Sequence, residues 1–584
     1  MQYSFIQGCK YLVGIPKLEG KAAIDISHKF SLALPLAKTL VARNMTDKEV
    51  IEDFLISAEH KDVHDPALMK GALQAVERIN QAIEKGEKIL IFGDYDVDGI
   101  TSSSLMMMGL LPLGAKVNFC LPNRVKDGYG ISEKFVKKAA ENNYKVIITV
   151  DNGITAFNPA QKAKELGIDL IITDHHRPHE KLPDAYVIVN PHQQDCKYPF
   201  KEFAGVGVAF KLLSLLYQQK NKEIPGKVIE LLLFGTVADV VPLTGENRYW
   251  VRQGLSHINR NESYSLKVLK ENSKFAKPLV SSTDVGFSIT PQINALGRLD
   301  DPRQGVQFLI GNNKDLVDQT GKVLLELNQA RKEIERSIIQ EIVQKIESNA
   351  IDLSQENIVI ASSKNWPAGV IGLVASRIVS AYGKPTVLFH ETSDGIAKGS
   401  CRSIPEFNIF DALSESQDIL ISFGGHSHAA GLSLKIEDIP ILKDRLEKKI
   451  AKELTEFDLK QKLVVDAPAQ LSDFSDKFIH DLRLFEPFGH ENSQPYFYIK
   501  GVVLVKRPQL LKELHVKCLV FADGVIKSVI FFNRPELFDI LVNQADAPFD
   551  IVGQVTQNYW NGSYSIELLG VDIIVTKEND DNND

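Results

Sequence analysis

No C-x-x-C pair occurs in the 584 residues, and the five cysteines (Cys9, Cys120, Cys196, Cys401 and Cys518) are scattered. That spacing argues against a disulfide framework and a structural zinc site, and it fits a reducing cytoplasm. Long apolar runs are missing too. A membrane span needs about 18 apolar residues, whereas the stretch LLLFGTVADVV is broken by Asp239, so no membrane association is expected. The opening MQYSFIQGCK has no basic start followed by an apolar core, and a secretory signal is not expected. There is no G-x-x-x-x-G-K-[ST] loop, and AGVGVAF places Phe210 where a dinucleotide fingerprint needs its third glycine. Neither ATP nor a dinucleotide is expected to bind. Excess positive charge is also lacking: 67 basic against 75 acidic residues give a formal charge of -8. Alone, that argues mildly against nucleic acid, whose phosphates are met by Lys and Arg. Carboxylates committed to cations do not repel phosphate, however, so charge leaves the substrate open.

What is present is an ordinary globular composition, 44% hydrophobic and 24% charged, in a chain long enough for about three or four domains. Residues 1–68 read as an N-terminal extension with short helical patterns such as SLALPLAKTLVARNM. From 69 to 311 strand and helix signals alternate. KILIF (88–92), KVNFCLP, KVIITV (145–150), DLIIT and YVIVNP read as strands, and GITSSSLMMMGLLPLG and AFNPAQKAKELG as helices between them. Strands separated by helices of this length predict βαβ units and a parallel sheet. A charged helical pattern over 312–350 predicts a connecting helix to a second α/β region at 351–456. From 460 to 577 short alternating segments, with an Asn561-Gly562 hairpin signal, predict a small OB-like β-barrel. The tail 578–584 is acidic and expected to be disordered. No internal repeat is found.

The chemistry concentrates after the strands. Asp94, Asp96 and Asp98 follow KILIF in FGDYDVDG, and three carboxylates on alternate residues repel one another unless a cation lies among them. A calcium EF-hand begins the same way but needs Glu at its twelfth position; that position is Leu105, inside an apolar helix. A solvated acidic turn remains the plain alternative. Asp151 follows KVIITV, and Asp174, His175 and His176 follow DLIIT. Singly, these would be turn or cap residues. Ligands of parallel α/β sheets gather beyond the carboxyl ends of the strands, and here successive strands deliver Asp and His to that edge. Asp239, between Ala238 and Val240 in GTVADVVPL, is either a helix-end carboxylate held by backbone donors or a further ligand. Carboxylates with one or two imidazoles suit Mn²⁺ or Mg²⁺, enough for two divalent cations, with imidazole favouring manganese.

In their order, DYDVDG, VDNGI, TDHH and GTVADVVPL resemble the motifs of the DHH phosphoesterase superfamily. LPNRVKDGYGIS (121–132), AGVGVAFKL (204–212), QINALGRL (292–299) and GGHSHAAGL (424–432) extend the resemblance to its RecJ branch, across about residues 88–432. The resemblance implies an α/β fold: a parallel-sheet DHH domain and a smaller α/β DHHA1 domain joined by the long helix, with the OB-like barrel behind them. It implies metal positions at Asp94, Asp96, Asp98, Asp151, His175 and Asp239, with Asp96 and Asp151 shared, and places His176 near the scissile phosphate. Arg124 and Arg298 match basic residues beside the bound strand. Ser400 and Arg402, with Gly424, Gly425, His426 and His428, match a pocket for the terminal nucleotide phosphate. Gly424-Gly425 also reads as a plain tight turn, the two histidines as ordinary polar residues, and the arginines as partners of acidic neighbours. Cys401 replaces a residue that relatives often keep small, a departure in the loop beside Arg402.

The activity implied is a two-metal, single-stranded-DNA-specific 5′→3′ exonuclease that releases mononucleotides, in cytoplasmic DNA repair and recombination. Single-strand-binding protein and a RecQ-type helicase are the partners implied. Lys506, Arg507 and Lys517 would hold the strand along the barrel, with Trp560 and Tyr559 either stacking on bases or packing the barrel. Two other functions stay open: hydrolysis of short oligonucleotides or cyclic dinucleotides, whose relatives lack the N-terminal and OB-like parts, and a non-catalytic replication scaffold, which would have lost ligand positions.

Overall fold

The computed structural model describes residues 2–18, 20–56, 63–124, 126–544, 547–560 and 563–575. The Asn561-Gly562 turn, the Trp560 side chain and the acidic tail lie outside the described residues. The chain starts as an antiparallel hairpin, β1 (Tyr3–Gln7) and β2 (Leu12–Pro16). Five strands then form one parallel sheet: β3 (Lys88–Phe92), β4 (Lys116–Cys120), β5 (Tyr144–Val150), β6 (Asp169–Thr173) and β7 (Val187–Val189), in the order β4-β3-β5-β6-β7. Both faces of a parallel sheet are covered, so its strands read as unbroken apolar runs; Ile89–Phe92 and Val146–Val150 are buried throughout. β4 lies on one side of β3 and β5 on the other. The connections therefore reverse between β3 and β5, which opens a crevice beyond the strand ends.

The helix Val97–Leu110 that leaves β3 is buried on almost every side, beneath the helices Gly205–Gln219 and Lys227–Ala238. Two of its buried hydroxyls are satisfied within the helix: Thr101 and Ser104 each donate to the carbonyl four residues back, at 2.8 Å. The connecting helix predicted from charge and spacing runs from Lys314 to Glu347, about 50 Å of rod. Its first half rests on the body that carries the parallel sheet, where Asn272 donates to the Gly321 carbonyl. Its second half holds the next domain: buried Glu335 meets Arg331 at 2.5 Å and Arg377 at 3.0 Å, and Trp366 donates to Glu341.

The second sheet is mixed, in the order β11-β12-β10-β9-β8, from β8 (Val359–Ser363), β9 (Thr386–Glu391), β10 (Ile396–Arg402), β11 (Leu420–His426) and β12 (Ala429–Lys435). β13 (Lys462–Val464) then returns to pair in parallel with β2. The barrel uses β14 (Ala467–Ala469), β15 (Phe497–Leu504), β16 (Gln509–Leu511), β17 (His515–Ala522), β18 (Val525–Phe531), β19 (Phe549–Trp560) and β20 (Ser563–Ile574). Because β15 pairs with both β19 and β17, the ring β15-β19-β20-β18-β17 closes on itself, as an OB-like barrel requires.

The N-terminal segment is no separate appendage. Leu36 and Leu40 share one apolar core with Phe474, Phe478 and Phe497, and Arg43 pairs with Asp466 at 2.8 Å. Arg248 and Arg252 dock this body on the one that carries the parallel sheet, through the carbonyls of Phe54, Leu484, Phe485 and Glu486. No helix among the described residues is long and apolar enough to cross a membrane.

Candidate metal centre and phosphate-binding cleft

The turn after β3 is shaped by small residues. A side chain at Gly99 would come within 2.4 Å of the Asp94 backbone, so only glycine lets the Asp94–Asp98 loop fold back on its helix. Asp96 caps that helix by accepting from the Gly99 amide at 3.1 Å. Asp98 lies in the first turn of that helix, fully enclosed. Its two oxygens accept from the amides of Gly205 (2.6 Å) and Val206 (2.8 Å), the start of the helix Gly205–Gln219. A carboxylate at a helix N-terminus is favourable, so Asp98 also fixes that helix. Gly205 is needed for a second reason: a β-carbon there would lie 2.5 Å from the Asp151 side chain.

Asp151 follows β5 with φ of +61° and Val240, after Asp239, has φ of +60°. Left-handed backbone at an aspartate and at a β-branched residue is strained, and such strain collects where a side chain must be aimed. The aim is common. His175 Nε2 lies 3.2 Å from Asp151 Oδ1, 3.6 Å from Asp239 Oδ2 and 4.0 Å from Asp98 Oδ2. Donor atoms fall within 4.8 Å of one another in three overlapping groups: Asp94, Asp96 and Asp151; Asp98, His175 and Asp239; Asp151, His175 and His176.

The electrostatics of the cluster are those of a site short of positive charge. Burial, then the neighbouring carboxylates, pushes Asp94, Asp151 and Asp239 well above the usual carboxylate range, and Asp98 to about 7. Burial and the charge of His176 lower His175 to about 3, so its imidazole is neutral and able to ligate. Its Nε2 and Asp94 Oδ1 are buried without a hydrogen-bond partner, an arrangement that is costly unless a cation fills it. The residues therefore fit divalent ions of the Mn²⁺ or Mg²⁺ kind.

His176 is set differently. Its Nδ1 lies 2.7 Å from Asp174 Oδ1, and Asp174 is itself buried and held by the amides of Ile154, His175 and His176. Burial pulls this imidazole down, but the Asp174 hydrogen bond and charge, with Asp96 and Asp98, prevail and raise it to about 8. Asp174 was visible in TDHH, but only the structure gives it this orienting role. Tyr129, whose hydroxyl lies 3.4 Å from both His176 Nδ1 and the Asp151 carbonyl, carried no sequence signal beyond its motif. Buried Asn152 is similar: it donates to the carbonyls of Phe92 and Val150 and so ties the ends of β3 and β5 together.

The basic residues face the same opening. Arg124 lies over the Tyr95 ring at 4.9 Å. Arg298, in the last turn of the helix Thr290–Leu299, donates to the Gly369 carbonyl at 2.8 Å and so reaches the second domain. Burial, then the charge of Arg124, lowers it to about 10. On β10, Arg402 donates to Ser400 Oγ (3.2 Å) and to the Cys401 carbonyl (2.7 Å). Gly372 brings the helix Ala368–Tyr382 against both side chains, with a β-carbon position 2.8 Å from Ser400 Oγ and 3.2 Å from Arg402 Nη2. Cys401 itself points into the core, so its size does not crowd this surface. Gly424, Gly425 and His426 are exposed on the edge strand β11, and His428 follows them. Register aligns His426 and Arg402 across Ala429, two strands apart. Among the described residues no hydrogen bond joins the glycine-histidine segment to the carboxylate cluster. On the barrel, Lys506 and Arg507 are exposed, Lys517 pairs with Glu567, and Tyr559 packs on Tyr564 with ring centres 4.9 Å apart.

Comparison with known proteins agrees with this geometry. Family models match over residues 88–236 (DHH family, N-terminal domain), 355–452 (DHHA1 domain) and 465–572 (RecJ OB domain). The chain is 37% identical over 545 residues to the single-stranded-DNA-specific exonuclease RecJ of Bacillus subtilis, covering 93% of this chain and 68% of that protein. It superimposes on the crystal structure of RecJ in complex with Mn²⁺ from Thermus thermophilus with a TM-score of 0.81 at 26% identity, covering 97% of this chain and 80% of that one. A structure of the Thermus protein in complex with Mg²⁺ gives a TM-score of 0.74 at 24% identity, covering 97% and 79%.

Proposed function

This chain belongs to the RecJ family of single-stranded-DNA-specific exonucleases and is a metal-dependent exonuclease using Mn²⁺ or Mg²⁺, and we propose that it digests single strands from the 5′ end, releasing mononucleotides. The observation that carries this reading is the convergence of buried, unpartnered His175 Nε2 on Asp98, Asp151 and Asp239, beside Asp94 and Asp96.

In this reading Asp94, Asp96, Asp98, Asp151, His175 and Asp239 hold two divalent cations. Bound there, the cations supply Lewis acidity toward the scissile phosphate and ready a water for attack. His176, kept protonated near neutral pH and oriented by Asp174, faces the developing negative charge or gives a proton to the departing 3′ oxygen. Arg124, Arg298, Ser400 and Arg402, with the Gly424–His428 segment, take the terminal 5′-phosphate, and this demand for a terminal phosphate sets polarity. Lys506 and Arg507 on the barrel continue the path of the strand. Repair and recombination in the cytoplasm, beside a single-strand-binding protein and a RecQ-type helicase, is the setting this activity suits.

One oligonucleotide labelled separately at each end, digested with Mn²⁺, Mg²⁺ or chelator beside a duplex control, tests the proposal. Mononucleotides released first from the 5′ end, from single strands and only with metal, are the expected result. Digestion from the 3′ end, or cleavage confined to fragments of two or three nucleotides, would overturn it.

A further inference from the structure

A cavity of about 580 Å³ lies on the other side of Arg124 and Arg298, and none of the cluster carboxylates lines it. Its floor is the C-terminal end of the edge strand β4 at Cys120 and Leu121, and its walls include the helix Glu133–Glu141. Six cationic side chains line it: Arg124, Lys126, Lys134, Lys138, Arg298 and Arg303. Only Asp127, Asp300 and Asp301 oppose them. Two of the cations are spent locally, Lys134 on Asp127 (3.4 Å) and Arg303 on Asp301 (2.5 Å). Among the described residues, Arg124, Lys126 and Lys138 have no carboxylate within salt-bridge distance. In a chain of net charge -8, an uncompensated excess of positive charge around a concave space is a specific demand for an anion.

The position of the cavity says which anion. If the terminal 5′-phosphate rests on Arg124, Arg298 and Arg402, as the proposed exonuclease function has it, the strand ends there. A substrate with one terminal phosphate then has nothing to place beyond those arginines, yet the positive charge continues. We propose that this cavity receives phosphate attached on the 5′ side of the terminal nucleotide, so that strands ending in a 5′-triphosphate are cleaved at their first phosphodiester. The inference rests on the exonuclease reading and extends it to the nature of the strand end. The bond-making is ordinary hydrolysis: water oxygen joins the phosphorus of the first internucleotide linkage and the P–O3′ bond breaks. The departing oxygen takes a proton as the 3′-hydroxyl of a nucleoside 5′-triphosphate, and the remaining strand keeps the new 5′-phosphate. The same anion chemistry would arise from one additional nucleotide threaded past the arginines.

Three 3′-labelled strands of one sequence separate these sources: one with a 5′-monophosphate, one with a 5′-triphosphate, and one with a 5′-monophosphate whose first linkage is an uncleavable methylphosphonate. Each is digested by the wild-type chain and by the doubly substituted Lys126→Gln/Lys138→Gln chain, both changes being on exposed side chains. Wild type is expected to open the triphosphate strand at the first linkage within about threefold of the monophosphate rate. The double variant should lose about tenfold on the triphosphate strand alone, the scale of two charge-assisted contacts. Cleavage of the methylphosphonate strand at its second linkage, with the same sensitivity to the variant, would identify a nucleotide as an occupant and likewise support the site. A triphosphate strand that resists wild type while the monophosphate strand is digested overturns the cavity proposal alone, as does an equal loss on both ends in the variant. A monophosphate strand untouched by wild type overturns the exonuclease reading and this inference with it.

Discussion

At the ends of β3, β5 and β6 the protein assembles five aspartates and a neutral imidazole that its own donors satisfy only in part, whereas on β10 Arg402 already donates to Ser400 and to a main-chain carbonyl. The first region is incomplete as protein: burial and mutual repulsion raise its carboxylates, and its geometry makes sense around cations. The second is complete as protein and offers its remaining donors outward. One region should therefore respond to metal in its stability, and the other in substrate binding only.

The largest break in that contrast is expected at Asp151. Asp151→Asn should lower kcat on single-stranded DNA by about 10³-fold or more, while the metal-free variant melts at the wild-type temperature or above it because one crowded buried carboxylate is gone. Asp98→Asn tests the same cluster from the other side. Asp98 holds the amides of Gly205 and Val206, so this change should remove activity and also destabilise the metal-free protein by about 1–3 kcal/mol; thermal melts in chelator distinguish the two variants.

A smaller effect is expected at Arg402. Arg402→Ala should reduce kcat/KM about 10- to 100-fold on a 5′-phosphorylated strand and leave the Mn²⁺-induced rise in melting temperature unchanged. A loss of that rise would show that the two regions are not independent. Wild type itself should gain about 2.7 kcal/mol at a Mn²⁺ concentration 100 times its Kd.

The test with no expected effect on activity uses a buried carboxylate outside the cluster. Burial first raises Glu230 to about 7, against which the Ser263 hydroxyl (2.7 Å) and Lys227 pull it down. A carboxyl whose folded value is raised binds its proton more tightly when folded. Its stability contribution is present below the unfolded value near 4.5 and is lost as pH rises toward 7. Glu230→Gln should flatten the melting profile over that interval, by on the order of 3 kcal/mol, and Mn²⁺ should not substitute for the mutation. Metal rescue at Glu230 would blur the distinction drawn for the cluster.

The part of the molecule legible in the sequence is the part built from local rules. KILIF, KVIITV and DLIIT are buried parallel strands, and the rule that ligands collect beyond such strand ends brings Asp94, Asp96, Asp98, Asp151 and His175 to one edge from the sequence alone. The long helix and the closed barrel followed from periodicity and turn chemistry. The union of the first 55 residues with the barrel did not, because the contact of Leu36 and Leu40 with Phe474 and Phe497 joins segments more than 400 residues apart and leaves no local pattern. The dual role of Asp98 was hidden for the same reason: its partners Gly205 and Val206 are over 100 residues away. The strained turns at Asp151 and Val240 were hidden because neither residue type announces a left-handed backbone.

The most direct test of the central claim is anomalous diffraction from crystals of the wild-type protein grown with Mn²⁺. Two peaks are predicted, one bounded by Asp94, Asp96 and Asp151 and one by Asp98, His175 and Asp239, with His175 Nε2 turned onto a metal. Peaks elsewhere, or a His175 Nε2 that contacts no metal in saturating Mn²⁺, would contradict it.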